Sequence, residues 1–359
     1  MSHDLKGSAK RTFVQRLLRG WALYVGLIML LVFLYARGLR TLPADLGKLK
    51  QHTEHDTLEW WPKELDQSNL RAITKNQPEL GLAISVVSFC LAGMAIGGLV
   101  FGLRVAWTGR LSAVWRFHAQ PIPPWSWGEL VRIILLTLIV VGLLPFAHEA
   151  FASVSGRAPI EAHLWVTTSM LFLDLFVIFT ITAFAEGKRG SALETLGLIP
   201  RSIGPAVNVG FQGYLGVFPW IFFLLFVIVQ IAHAVGFEPP KEPIQELIFE
   251  KGHPAALFVT IVLACVIGPV AEEFLFRGVI FGTIRRYSSG LVAMLVSGAL
   301  FALVHTNIVG FLPIMVLGCL LSNLYDRTGS LAAPIAVHML HNTLLMSMAL
   351  VFRQLTALS

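Results

Sequence analysis

Charge is scarce in this sequence. Of its 359 residues only 13% are Asp, Glu, Lys or Arg, against 55% hydrophobic side chains. With a mean hydropathy of +0.72, this composition excludes an ordinary water-soluble domain. Cysteine is nearly absent as well: Cys90, Cys265 and Cys319 each lie in an apolar run without CxxC or similar spacing, which argues against a disulfide framework or a thiolate metal site. The formal net charge of +6 is spread over short basic clusters between apolar runs. It does not form the continuous basic face of a nucleic-acid binder, so no nucleic-acid partner is expected. Internal repeats and low-complexity tracts are missing too.

Several hydrolytic signatures are also absent. FAHEAFAS holds His148 and Glu149 but has Ala152 where a zinc helix of the HExxH type needs its second histidine. No GxSxG occurs, and Asp174 in LFLDLFVIF lacks a GxGD context.

What the chain has instead is apolar length. A bilayer core of about 30 Å needs about 20 apolar helical residues. Candidate spans fall near 21–36, 80–103, 130–147, 163–185, 211–236, 256–283, 291–307, 309–324 and 331–352. The first and eighth are short, so the expectation is an all-α polytopic transmembrane helical bundle of eight to nine spans. The basic start MSHDLKGSAKRTFVQRLLRG leads into WALYVGLIMLLVFLYA without a small-residue cleavage site, as in an uncleaved signal anchor.

Arg104, Arg110 and Arg116, then Lys188, Arg189 and Arg201, then Arg285 and Arg286, then Arg327 fall in alternate connections. The positive-inside rule makes these cytoplasmic and puts the N-terminus inside. The chain divides at about residue 125: residues 1–125 form a two-span extension with a polar loop over 41–79, and residues 126–359 form the main membrane domain, with its motif core at 254–350. In AQPIPPWSWGE, Trp125 and Trp127 are expected at the bilayer interface.

Ionisable groups inside such spans cost at least about 2.5–3.5 kcal/mol each and by default mark a functional site. AEEFLFRG carries Glu272, Glu273 and Arg277. Glu273 and Arg277 stand at i and i+4, so the cation can neutralise that carboxylate and leave Glu272 free to face a cavity. FALVH ends in His305, one turn after Phe301, and HMLHN places His338 and Asn342 on one face with His341 beside them. Counted at 1.5 Å per residue, Glu272, His305 and Asn342 each stand roughly 18–20 Å from the inner end of their helices, so the three helices can bring them to one level. The plainer reading, that Glu273 and Arg277 only hold helices together, leaves Glu272 unexplained. His341 serves equally well as a packing residue, and Asp174 has no motif to assign it. Gly310 and Gly318 allow close packing of their helix. Gly268 and Pro269 loosen the helix just before the two glutamates.

Carboxylates, imidazoles and a carboxamide, without a nucleophile, suit activation of water and stabilisation of an oxyanion. Amide hydrolysis in a membrane cavity is the natural reaction class. EEFLFR, FALVH and HMLHN resemble, in order and spacing, the EExxxR, FxxxH and HxxxN motifs of the CAAX protease and bacteriocin-processing (Abi) family, over roughly 185–350. The resemblance implies a glutamate-dependent intramembrane endopeptidase of the type II CAAX prenyl endopeptidase kind, in a bacterial inner membrane, with a cavity facing the cytoplasm. Glu272 would activate water with His305, His338 and Asn342 would form the oxyanion site, and Glu273 and Arg277 would support them together with Phe301 and His341. The partners implied are a peptide or lipidated protein substrate and membrane lipids. No cofactor is expected; were a metal such as zinc used, Glu272, His305 and His338 would be its donors. The alternatives are a non-catalytic scaffold or bacteriocin-immunity protein of the same fold, or a proton-coupled transporter, against which the lack of an inverted repeat argues.

Overall fold

The helices follow the apolar runs. A computed structural model of the chain describes residues 13–41, 74–108, 122–123, 125–155, 162–237, 248, 254–305 and 307–356. In chain order the helices are α1 (Phe13–Arg19), α2 (Trp21–Thr41), α3 (Pro78–Thr108), α4 (Trp127–Ser155), α5 (Ala162–Ala185), the short α6 (Ala192–Thr195) and α7 (Pro200–Ala234). The irregular α8 follows (Ala255–Tyr287). Then come α9 (Gly290–Val304), α10 (Phe311–Thr328) and α11 (Ala332–Thr356). No strand occurs among the described residues. The polar loop expected over 41–79 lies mostly outside them.

Six of these helices are long and apolar enough to cross a membrane, and seven if α1 and the start of α2, bent by 63°, count as one span. The expected count of eight to nine is therefore not reached among the described residues, and two expected spans are responsible. The run 291–307 yields only the 15 residues of α9, about 22 Å of helix against a core of about 30 Å, because the helix ends at His305. The run 309–324 yields α10, whose last turn carries Asp326 and Arg327. Asp326 is paired with Arg285 at 2.9 Å. α9 and α10 pack on each other through glycine. A Cβ at Gly298 would lie 2.7 Å from Cys319 Sγ, and one at Gly318 would lie 2.9 Å from Gly298 Cα, so neither position admits a side chain without the helices parting.

α8 lies at the centre, covered by α5, α9 and α11. One apolar core joins α4, α5 and the second half of α8 through Ile133, Ile181, Phe184, Val279 and Phe281. A second joins α7, α10 and α11 through Tyr214, Phe218, Leu321 and Val337. Gly329, at φ +61°, ends α10 in the left-handed conformation that favours glycine. Ser330 Oγ then donates to Gly197 O at 2.5 Å and fixes where α11 begins. Trp125 departs from the interfacial role expected of it: it is fully buried, with the Lys188 ammonium 4.6 Å from its ring centre. Trp127 stays half exposed and stacks on Tyr287.

Candidate active site

The site forms where α8 departs from α-helical winding. Over Leu263–Ile267 the turns widen, and Gly268 N–H reaches back five residues to Leu263 O. The next donor in that series would be residue 269, but Pro269 has no N–H, so Ala264 O is left without a main-chain partner. The Asn342 side chain supplies one: Nδ2 donates to Ala264 O at 2.8 Å. Asn342→Ala should therefore lower stability by about 1–3 kcal/mol, the cost of orphaning a buried carbonyl. Thermal unfolding in detergent would show this, and an unchanged midpoint would mean that the carbonyl finds water.

Glu272 and Glu273 close the short α-helical stretch Gly268–Glu273, after which the turns widen again over Phe274–Phe281. In this second wide stretch Phe276 O accepts from Ser297 Oγ of α9 at 3.2 Å. The two glutamates have different surroundings. Glu273 and Arg277 are both fully buried and joined by an Nη1–Oε1 bond of 2.8 Å. Arg277 Nη2 also donates to Gly318 O of α10 at 3.1 Å, and its guanidinium carbon stands 4.3 Å from the centre of the Phe301 ring. Each contact offsets part of the cost of burying the cation. Glu272 keeps 35% of its side chain exposed, and its Oε2, like that of Glu273, is buried with no hydrogen-bond partner among the described residues.

His338 stands between the two carboxylates, with Nδ1 2.9 Å from Glu273 Oε1 and Nε2 3.7 Å from Glu272 Oε2. A carboxylate can only accept, so Nδ1 carries a hydrogen. Nε2 is then an acceptor in the neutral ring and a donor in the imidazolium. Phe301 is the hub of the cluster: its ring lies 4.7 Å from His305, 5.5 Å from His338 and 5.2 Å from Phe276, centre to centre. His305 Nδ1 lies 2.7 Å from Phe301 O. A carbonyl also only accepts, which puts the hydrogen on Nδ1 and leaves Nε2 of neutral His305 as an acceptor.

Glu272, Glu273, Arg277, Phe301, His305 and His338 thus gather in one cluster. Asn342, on the same face of α11 as His338, meets α8 two turns before the glutamates, and His341 turns to α7, where Tyr214 Oη lies 2.8 Å from its Nδ1. Among the described residues no three His, Cys, Asp or Glu side chains are grouped as a metal ion requires. The conditional donor set Glu272, His305 and His338 is therefore not gathered round one point, and no step is derived through a metal.

Sequence reasoning left one polar neighbour, Asp174, unassigned and missed another, Tyr214. Asp174 of α5 lies beside Gly268, its Oδ2 3.6 Å from where a Cβ there would stand, close enough to Glu272 for their charges to interact. Tyr214 is wholly buried, and the signal that could have found it is the glycine at position 210. A Cβ there would meet Ala333 O at 2.9 Å, so this part of α7 approaches α11 closely.

Comparison with known proteins picks out the same segment. Residues 254–344 match the family model described as "Type II CAAX prenyl endopeptidase Rce1-like". The chain is 27% identical over 229 residues to the membrane-embedded CAAX protease MroQ of Staphylococcus aureus, covering 60% of this chain and 86% of that protein. It is 32% identical over 95 residues to the putative membrane peptidase YdiL of Bacillus subtilis, covering 26% of this chain and 39% of that protein. With the UPF0177 protein YxdF of Lactococcus lactis it shares 38% identity over 74 residues, covering 20% of this chain and 40% of that protein. The chain thus spans about two fifths of the Bacillus and Lactococcus relatives. No solved structure matches it. Residues 254–344, the segment that matches this family model, hold Glu272, Glu273, Arg277, His305 and His338, every ionisable group of the cluster except Asp174.

Proposed function

We propose that the protein is an intramembrane endopeptidase that hydrolyses a peptide bond in a membrane-associated or lipidated peptide or protein, using water activated by Glu272. The observation that carries this reading is the unequal treatment of two adjacent carboxylates. Glu273 is wholly buried and neutralised by Arg277, while Glu272 keeps 35% of its side chain exposed and has no cation paired with it among the described residues except His338 Nε2 at 3.7 Å. A fold needing only an ion pair has no use for the second acid.

In this mechanism Glu272 takes a proton from water, and the Nε2 acceptor of His305 orients the same water. The hydroxide adds to the scissile carbonyl. The oxyanion is met by Nε2–H of protonated His338 and by the amide hydrogen of Asn342 not engaged with Ala264. Glu272 then returns its proton to the leaving amine. Arg277 and Glu273 hold His338 in register, and the mechanism is metal-free. The similarity to the CAAX prenyl endopeptidase model and to membrane peptidases supports the reaction class; a prenylated C-terminal peptide is the first substrate to try, with the cavity taken to open to the cytoplasm.

The test uses purified full-length protein in nanodiscs with quenched-fluorescence peptides, farnesylated and plain, with and without a chelator. Cleavage that survives the chelator, is lost in Glu272→Ala and falls about 10²-fold or more in His305→Ala supports the proposal. Cleavage that persists in Glu272→Ala overturns the mechanism. Loss on chelation overturns its metal-free form.

A further inference from the structure

The hydrogen-bond inventory of α11 leaves one donor unassigned. His338 offers Nε2–H only when protonated, and Glu272 then competes for it at 3.7 Å. Asn342 already gives one of its two amide hydrogens to Ala264 O. His341 stands one turn beyond His338, close enough for their charges to interact. Its Nδ1 faces Tyr214 Oη at 2.8 Å, with the two rings edge to face.

Which partner donates follows from what each can do elsewhere. Tyr214 is fully enclosed, and His341 is its hydrogen-bond partner among the described residues. Were His341 to donate from Nδ1, the phenolic hydrogen would be buried with no acceptor, at a cost of about 1–3 kcal/mol. The phenol therefore donates, Nδ1 accepts, and the ring hydrogen sits on Nε2. His341 Nε2 makes no hydrogen bond within the described residues. Unlike Oε2 of Glu272 and of Glu273, it is not among the atoms that are both sealed from solvent and unsatisfied. The result is a neutral imidazole N–H, fixed in direction by Tyr214, with no carboxylate competing for it.

We propose that Tyr214 is a positioning residue that fixes His341 as the Nε2–H tautomer, and that this N–H is an oxyanion donor in the hydrolysis; the second clause rests on the peptidase reading above. A neutral donor of this kind stabilises a developing oxyanion without giving up its proton and needs no reorganisation to do so. Tyr214 lies outside the segment matched by the family model, so the family domain does not supply it.

Two readouts separate the clauses. In full-length protein labelled with 15N-histidine in nanodiscs, the signals lost in His341→Gln identify the ring. They should show a bare Nδ1 and a protonated Nε2, and Tyr214→Phe, which removes a single oxygen, should shift that Nδ1 signal. A hydrogen on Nδ1 in the wild type, or an unmoved signal in Tyr214→Phe, overturns the lock. On a farnesylated peptide that the wild type cleaves, Tyr214→Phe should lower kcat about tenfold and His341→Gln about 10²-fold, with KM within about twofold for both. Unchanged kcat in both variants overturns the oxyanion clause and leaves the lock standing. If the wild type cleaves no peptide, the peptidase reading and the oxyanion clause fail together, and the NMR result still decides the tautomer.

Discussion

Glu272→Gln should lower kcat by about 10²–10⁴-fold, the range for removing a general base, while the thermal midpoint stays at or above that of the wild type. The two halves of this result belong together. A catalytic carboxylate held in an incompletely satisfied state is a burden on the folded protein. Glu272 has the marks of one: its Oε2 lacks a hydrogen-bond partner among the described residues, Asp174 stands near, and the 3.7 Å to His338 Nε2 exceeds hydrogen-bond length. Glutamine keeps the shape and removes the negative charge, so the repulsion from Asp174 goes while the contacts of the backbone remain. Circular dichroism and unfolding curves measure the first half, and kinetics on a cleaved peptide the second. A variant that loses activity and stability together would show Glu272 to be a structural residue and would remove the main support for the proposed reaction.

The polar pairs were the most legible part of the site, because spacing on a helix is a local property. Glu273 and Arg277 at i and i+4 could be paired from the letters alone, and the ion pair has the expected partners. The winding of α8 was not legible. Uniform winding at 1.5 Å per residue puts Asn342 level with Glu272 and His338 about a turn away, whereas it is His338 that stands at the glutamates, and Asn342 meets α8 two turns earlier, at Ala264. Gly268 and Pro269 did announce a loosened helix, but not that the loosening would widen the turns or that a side chain from α11 would take up the freed carbonyl.

Span length failed for a similar reason. The run 291–307 is apolar in composition nearly throughout, yet α9 stops at His305, whose ring bonds back to the carbonyl one turn earlier, and hydropathy does not record a helix end made by a side chain. Tyr214, Asp174 and the burial of Trp125 depend on which helices become neighbours. That is settled by small-residue contacts such as Gly98 of α3, where a Cβ would stand 2.7 Å from Pro219 of α7, which no single segment displays.

Arg277→Met should be the most destabilising single change in the cluster, at about 3–5 kcal/mol, the cost of removing one partner of a buried pair. Methionine fills much of the volume, so the loss is electrostatic. Glu273 would stay wholly buried with only His338 to answer it, Gly318 O would lose its donor, and the Phe301 ring its cation. Arg277→Lys keeps the charge but not the planar fork that reaches Glu273 and Gly318 O at once, so it should recover only part of the loss. The informative variant is the double one. Glu273→Gln with Arg277→Met removes both charges, and since exchanging a buried pair for neutral groups is often near neutral, it should regain most of the lost stability. Its activity should nonetheless stay low, because His338 then loses the carboxylate that orients its Nδ1. Unfolding midpoints of the three variants decide the stability claim, and a double variant no better than Arg277→Met would refute it. If the double variant regained stability and full activity together, the Glu273 and Arg277 pair would have no part in holding His338, and the catalytic face would reduce to Glu272 and the imidazoles alone.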